Sequence, residues 1–301
     1  MTGLKIGFFG TPEFAVSLLD ELEANGLVPN LIVTNPNKPK GRKLIITPPP
    51  VKVWALKRGI PVLQPEKLQP KTDPLLTKIL SGFDLFIVAA YGKIVPESII
   101  NLPKYGMINV HPSILPKYRG PSPVQTTILN GDKETGVSIM LLDKEIDHGP
   151  VITQEKIELN NLSLTTDELK EKLSKVAGRL LIKILPDWIN GKIKAKPQDH
   201  SQATFTKKIQ KEDGFVESRD LLDENLNIEK AKTIERKVRA LNPDPGVFTN
   251  IRGKNAEIRV KIIKAKIEDN KLTVERVVPE GKREMNWEDF KRGNLQSIFN
   301  S

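Results

Sequence analysis

The chain has 301 residues, 38% of them apolar and 28% charged, enough to bury a sizeable core in one or two domains. It contains no cysteine and no long apolar run, which excludes a disulfide framework, thiolate metal sites and a membrane-spanning helix. A formal net charge of +10 favours a polyanionic partner.

The opening Met-Thr-Gly-Leu-Lys lacks the apolar stretch of a signal peptide, so a cytoplasmic protein is expected. Leu4–Phe9 reads as a buried strand. A helix follows, with Thr11 expected as N-cap, Pro12 at the first helical position, and Ala15, Leu18, Leu19 and Leu22 at helical spacing. With a second strand at Asn30–Thr34, this β-α-β opening predicts a parallel, doubly wound α/β sheet. The first turn carries one glycine rather than Gly-x-Gly-x-x-Gly, which argues against a dinucleotide.

Asn35–Pro50 is rich in Pro, Lys and Asn and reads as an exposed loop without regular structure. No acidic residue occurs from Ala24 to Pro65, while Lys38, Lys40, Arg42, Lys43, Lys52, Lys57 and Arg58 are basic. Such single-sign charge attracts phosphates, although a solvated loop has the same composition. Helices are expected at Pro50–Gly59 and Leu75–Leu80, and short or buried strands at Ile60–Leu63 and Asp84–Ala90. The Asp84–Ala90 run is almost wholly apolar, as a strand covered on both faces should be. Tyr91-Gly92 lies at its carboxyl end, where open α/β sheets place ligands. Gly106–His111 is the next strand. Beyond it come a helix from Ser122-Pro123 to Asn130, strands at Gly136–Leu142 and Val151–Glu158, and a long helix at Thr166–Ile189.

The Lys-, Pro- and Gln-rich stretch 191–203 reads as a linker between a catalytic domain (residues 1–190) and a C-terminal domain (residues 204–301). In the latter a helix ending at Leu241 precedes half-buried antiparallel strands at Glu257–Ile267 and Leu272–Val278, consistent with a small barrel or sheet. Both parts share the basic surplus, +6 before residue 201 and +4 after it.

Asn109 and His111 are two apart on a strand, so their side chains leave by one face. Asp147 sits in the polar loop after the next long strand and can meet the same crevice. A lone histidine is more often structural, and an Asp near Gly is often a turn former. Together the three make an acyl-transfer set. Asn109 would hydrogen-bond a developing oxyanion, worth roughly 3–4 kcal/mol in comparable sites. His111 would move the proton, and Asp147 would orient the ring. No serine or cysteine nucleophile is well placed, so an external amine would attack directly.

Asn109-Val110-His111-Pro112-Ser113-Ile114-Leu115-Pro116-Lys117-Tyr118-Arg119-Gly120 resembles the signature of the folate-dependent formyltransferases. Phe9-Gly10-Thr11-Pro12-Glu13-Phe14-Ala15, Ala89-Ala90-Tyr91-Gly92, Glu134–Met140 and Ile146–Pro150 fit the same family in the same order. The later motifs Gln202–Ile209, Arg239–Gly246 and Asp289–Gly293 resemble the members whose acceptor is methionyl initiator tRNA. The resemblance implies a Rossmann-like domain followed by an OB-like β-barrel domain. It further implies 10-formyltetrahydrofolate as formyl donor, the α-amine of methionyl initiator tRNA as acceptor, no metal, and a monomeric enzyme. By motif match Asn109, His111 and Asp147 would be catalytic. Ser113, Ile114, Leu115 and Pro116 with Ala89, Ala90, Tyr91 and Gly92 would line the folate pocket. Lys38, Lys40, Arg42 and Lys43, with Lys207 and Lys208, would meet tRNA. His148 stands where the family usually has Thr, and Asp244 where it often has an aromatic. An amino sugar nucleotide as acceptor, hydrolysis of the formyl donor, and a noncatalytic nucleic-acid-binding role remain the alternatives.

Overall fold

The computed structural model describes residues 3–41, 44–69, 73–159, 163–252 and 256–294. In chain order its first elements are β1 (Ile6–Gly10), α1 (Glu13–Ala24), β2 (Leu31–Val33), β3 (Lys38–Lys40), β4 (Ile45–Thr47), α2 (Pro50–Leu56) and β5 (Val62–Leu63). Then follow α3 (Pro74–Leu80), β6 (Leu85–Ala89), α4 (Glu97–Ile100), β7 (Met107–His111), α5 (Pro123–Asn130), β8 (Glu134–Leu141), β9 (Val151–Glu158) and α6 (Thr166–Ile189). Residues cluster into two compact units. The first comprises 1–123, 134–158 and 170–206; the second comprises 124–133, 159–169 and 207–301.

The first unit is built on a seven-stranded sheet of order β5-β2-β1-β6-β7-β8-β9. β5, β2, β1, β6 and β7 run parallel, as the opening predicted, and β8 and β9 are added antiparallel. Every residue of β1, β6 and β7 is buried, which their apolar runs require of strands covered on both faces. The chain winds outward from β1 to β5, then returns to place β6 on the other side of β1. The crevice beyond β1 and β6 is therefore the topological switch point. Phe9 holds the core beneath it, edge-on to Phe86 and Tyr91 with ring centroids 5.1 and 5.3 Å away. α1 adds Phe14, Ala15, Leu18, Leu19 and Leu22 at the expected spacing.

Two local expectations fail. Thr11 does not cap α1; Pro12 precedes the helix with no side-chain cap. The Thr11 hydroxyl instead donates to the Tyr91 carbonyl and accepts from Asn35 Nδ2, tying together the loops after β1, β2 and β6. Nor is 35–50 irregular throughout: β3 and β4 pair antiparallel with Pro39 opposite Ile46. A two-stranded ribbon leaves every second N–H facing outward, and a proline fits there at no cost in hydrogen bonds.

The second unit contains α7 (Ser218–Leu222), α8 (Ile228–Leu241), β10 (Val247–Arg252), β11 (Glu257–Glu268), β12 (Lys271–Pro279), β13 (Met285–Asn286) and α9 (Trp287–Asn294). β10 to β13 form one antiparallel sheet in sequence order. Asn227 caps α8 by accepting the Glu229 and Lys230 N–H groups, and Ala231, Ile234, Val238 and Leu241 give the helix its buried stripe. Two segments from earlier in the chain belong to this unit. Thr166 Oγ1 donates to the Ala240 carbonyl at 2.8 Å, and Arg239 donates to the Leu164 carbonyl at 2.8 Å. Among the described residues no helix is long and apolar enough to cross a membrane.

Candidate active site

Asn109 and His111 end β7, both buried, and their side chains share one face as the strand period demands. Asp147 reaches them from the loop after β8 in a left-handed conformation, φ 49°. Gly149 makes that turn feasible: a Cβ there would lie 2.0 Å from the Leu141 carbonyl oxygen. Asp147 Oδ1 lies 3.4 Å from Asn109 Nδ2 and 3.5 Å from His111 Nδ1. Its Oδ2 accepts the Gly120 N–H at 2.7 Å. The three residues proposed from sequence thus meet around one carboxylate.

The other ring nitrogen has its own partner. His111 Nε2 is 2.9 Å from the Tyr118 carbonyl oxygen, which can only accept. Nε2 therefore carries a hydrogen, and Nδ1 is the ring nitrogen that faces Asp147. His148 lies elsewhere in the same loop region: its Nδ1 pairs with Asp143 at 2.6 Å, and its ring stacks on His200 at 4.0 Å.

The segment 113–116 is fastened from beneath. Ser138, fully buried on β8, donates to the Ser113 carbonyl at 2.6 Å and accepts the Leu115 N–H at 2.9 Å. Gln154 on β9 donates to Ser138 Oγ and to the Leu115 carbonyl, both at 2.8 Å. The Ser113 hydroxyl itself donates to the Lys117 carbonyl, and the Leu115–Pro116 peptide is cis. Ile114 lies over β8 where Gly136 leaves room, since a Cβ there would meet its Cδ1 at 2.4 Å.

In the segment 89–92, Ala89 and Tyr91 are buried while Ala90 and Gly92 are exposed, both with positive φ (48° and 79°). The Tyr91 ring points into the core, not the crevice; its hydroxyl has no partner among the described residues, and burial pushes it up to about 12. Lys93 anchors the turn by donating to the Pro65 and Glu66 carbonyls, with its ammonium held below the ordinary lysine value chiefly by burial. Ile94 and Ile146, 81% and 64% exposed, offer apolar surface on the turns holding Gly92 and Asp147.

Lys38 and Lys40 are exposed on β3. Arg42 and Lys43 lie outside the described residues. A cavity of about 870 Å³ opens between the β3–β4 ribbon, α1 and α2, lined by Lys38, Lys40 and Lys57 among others, but none of the Asn109, His111, Asp147 set borders it. Lys207 and Lys208 are exposed in the second unit, with Lys207 paired to Asp213.

Several supporting residues escaped the sequence reading. Arg119 is buried, donating to Gln198 Oε1 at 2.7 Å and to His200 Nδ1 at 2.8 Å. Residues 196–206, which begin within the stretch 191–203 expected to be a linker, run as a strap beside the site. Lys196 pairs with Val151, and Thr204 and Thr206 bond the main chain of 118–119. The available signals were Arg119 and the Gln202–Ile209 stretch with Thr204 and Thr206, both inside motifs already singled out.

Residues 4–185 match the Formyl transferase family, and residues 227–273 match the Formyl transferase C-terminal domain. The chain belongs to the formyl transferase family. Its relatives include a methionyl-tRNA formyltransferase of Chloroflexus aurantiacus, 41% identical over 88% of this chain and 80% of that one. Another, from Dictyoglomus thermophilum, is 39% identical over 98% of both chains. Among solved structures, the methionyl-tRNA formyltransferase of Clostridium thermocellum superposes with TM-score 0.57 at 16% identity, covering 92% of this chain and 98% of that one. The N-formyltransferase of Helicobacter canadensis, solved with folinic acid and dTDP-3-aminofucose, superposes at 0.60 with 21% identity and 88% coverage of each. At such identities these structures speak for the formyl transferase fold. Its parallel-dominated sheet and its C-terminal antiparallel strands are what the sequence led us to expect.

Proposed function

We propose that this formyl transferase moves the formyl group of 10-formyltetrahydrofolate to the α-amine of methionyl initiator tRNA, as a cytoplasmic monomer serving translation initiation. The observation that carries the acceptor choice is the full-length likeness to the Dictyoglomus methionyl-tRNA formyltransferase, C-terminal unit included. The folate donor suits the first unit's crevice: Ile94 and Ile146 supply apolar faces for a flat ring, and the turns at 89–92 and 113–116 bring main chain to its edge. Lys38, Lys40, Arg42 and Lys43, with Lys207 and Lys208, supply the phosphate contacts of the tRNA.

In this reading the amine nitrogen bonds to the formyl carbon while the bond from that carbon to the folate nitrogen breaks. Asn109 Nδ2 donates to the oxygen on which negative charge develops. His111 Nδ1, the ring nitrogen that faces Asp147, takes the amine's proton and returns it to the departing nitrogen. Asp147, set 3.5 Å from that nitrogen, stabilises the transient imidazolium. Nothing is oxidised or reduced, and no covalent enzyme adduct forms.

The test offers the formyl donor with methionyl initiator tRNA, with an amino sugar nucleotide, or with buffer alone. Formyl-methionyl-tRNA should accumulate in the first only, and Asn109→Ala and His111→Ala should each abolish it while tRNA affinity persists. Formylation of the amino sugar alone would overturn the acceptor; near-wild-type turnover in both variants would overturn the catalytic assignment.

A further inference from the structure

We infer that Gln198 is a positioning residue for Asp147, clamping the loop that presents the catalytic carboxylate. Gln198 is 8% exposed and uses its whole amide in one network. Its Nε2 donates to the Asp147 carbonyl at 2.9 Å and to the Gly149 carbonyl at 2.7 Å. Its Oε1 accepts from Arg119 Nη2 and Nε. Arg119 adjoins Gly120, whose N–H holds Asp147 Oδ2, so one side chain ties the backbone beneath the carboxylate to the segment that grips its far oxygen.

The clamp is needed because Asp147 adopts a left-handed backbone without being glycine, a conformation that must be held by its surroundings. Two carbonyls so close together, those of 147 and 149, require a donor with two hydrogens on one atom. An amide supplies it, and a carboxylate or thioether does not. The buried Arg119 then orients that amide, since its guanidinium admits only the oxygen end of Gln198. Among the described residues its hydrogen bonds go to Arg119 and to the carbonyls of Asp147 and Gly149, not to Asn109 or His111, so it acts through Asp147.

This inference rests on the catalytic set proposed above, and a double-mutant cycle tests it. Gln198→Met keeps the volume and removes the amide. Gln198→Glu keeps an acceptor for Arg119 and removes the paired donors. Both are made in the wild-type and Asp147→Asn backgrounds, with thermal melts taken alongside. In the wild-type background kcat should fall ~10- to 100-fold, the scale of a misplaced catalytic group, with each substrate's KM within ~2-fold. In the Asp147→Asn background the added loss should shrink to ~2-fold or less, because residues acting as a unit are not additive. A full repeated loss in that background, a change in KM alone, or unaltered kcat would overturn the clamp. Failure of both variants to fold would also overturn it, making Gln198 a stability residue. If the wild type forms no formyl-methionyl-tRNA, the acceptor reading fails alone, and the same cycle is run on the acceptor that is used.

Discussion

Replacing Ser138 with Ala removes one oxygen from the floor of the site. That oxygen is fully buried and holds three partners: it donates to the Ser113 carbonyl and accepts the Leu115 N–H and the Gln154 amide. Gln154 keeps its second bond, to the Leu115 carbonyl, so the groups left stranded are the Ser113 carbonyl and the Leu115 N–H. Each buried polar group left unpaired costs about 1–3 kcal/mol, so the pair costs about 2–4 kcal/mol after partial relaxation. Against a total stability of about 5–15 kcal/mol that is a large fraction. The variant should melt roughly 5–15 °C lower. Chemical denaturation with the slope held fixed gives the free energy directly. Steady-state kinetics should show KM for the formyl donor rising more than kcat falls, because 113–116 belong to the proposed folate pocket while Asn109 and His111 stay in their strand. A loss below about 0.5 kcal/mol, the range of an ordinary surface change, would refute the claim that Ser138 fastens this loop.

Other outcomes can be checked as simply. Glu168 accepts from both the N–H and the hydroxyl of Thr165 at the start of α6, and its carboxyl is held below the ordinary value chiefly by the Thr165 N–H, then by the hydroxyl. Folding therefore favours the ionised form: the stabilisation is full above about pH 4.3, the free glutamate value, and fades as pH falls below it. Glu168→Gln should cost about 0.5–1 kcal/mol at neutral pH, a modest effect because solvent screens an exposed carboxylate, and the gap to wild type should narrow in melts taken at acid pH. A gap independent of pH would exclude the ionised cap. Reversing the charge at Lys38 and Lys40 should weaken use of tRNA and flatten the salt dependence of binding by about one unit of log–log slope for each phosphate left unneutralised. An unchanged slope would mean that the ribbon does not meet phosphate.

What could be read beforehand divides along a physical line. β1, β6 and β7 were legible because a strand covered on both faces must be apolar at every position. The bounds of α6 were legible because its buried stripe recurs without interruption from Leu169 to Leu185. Asn109 and His111 were legible because two residues two apart on a strand need no tertiary knowledge to share a face. The β3–β4 ribbon was hidden by Pro39, whose missing N–H argues against a strand until the partner is seen. β10, β13 and α9 are short or polar enough to leave no clear period. The roles of Gln198 and Ser138 were illegible for another reason: their partners lie 51 and 25 residues away in sequence, so only the fold brings them together.

The strap across the site also sets an order of events during synthesis. Tyr118 finds its Thr204 partner only 86 residues after it has itself been made. At about 5–20 residues per second, the ribosome takes roughly 4–17 s to deliver that stretch. The apolar strands that form the sheet's centre are complete by His111, so β1, β6 and β7 can pair while Arg119 still lacks Gln198, Thr204 and Thr206. The nascent chain thus acquires its scaffold first and the strap that fastens the candidate site later, when residues 198–206 emerge.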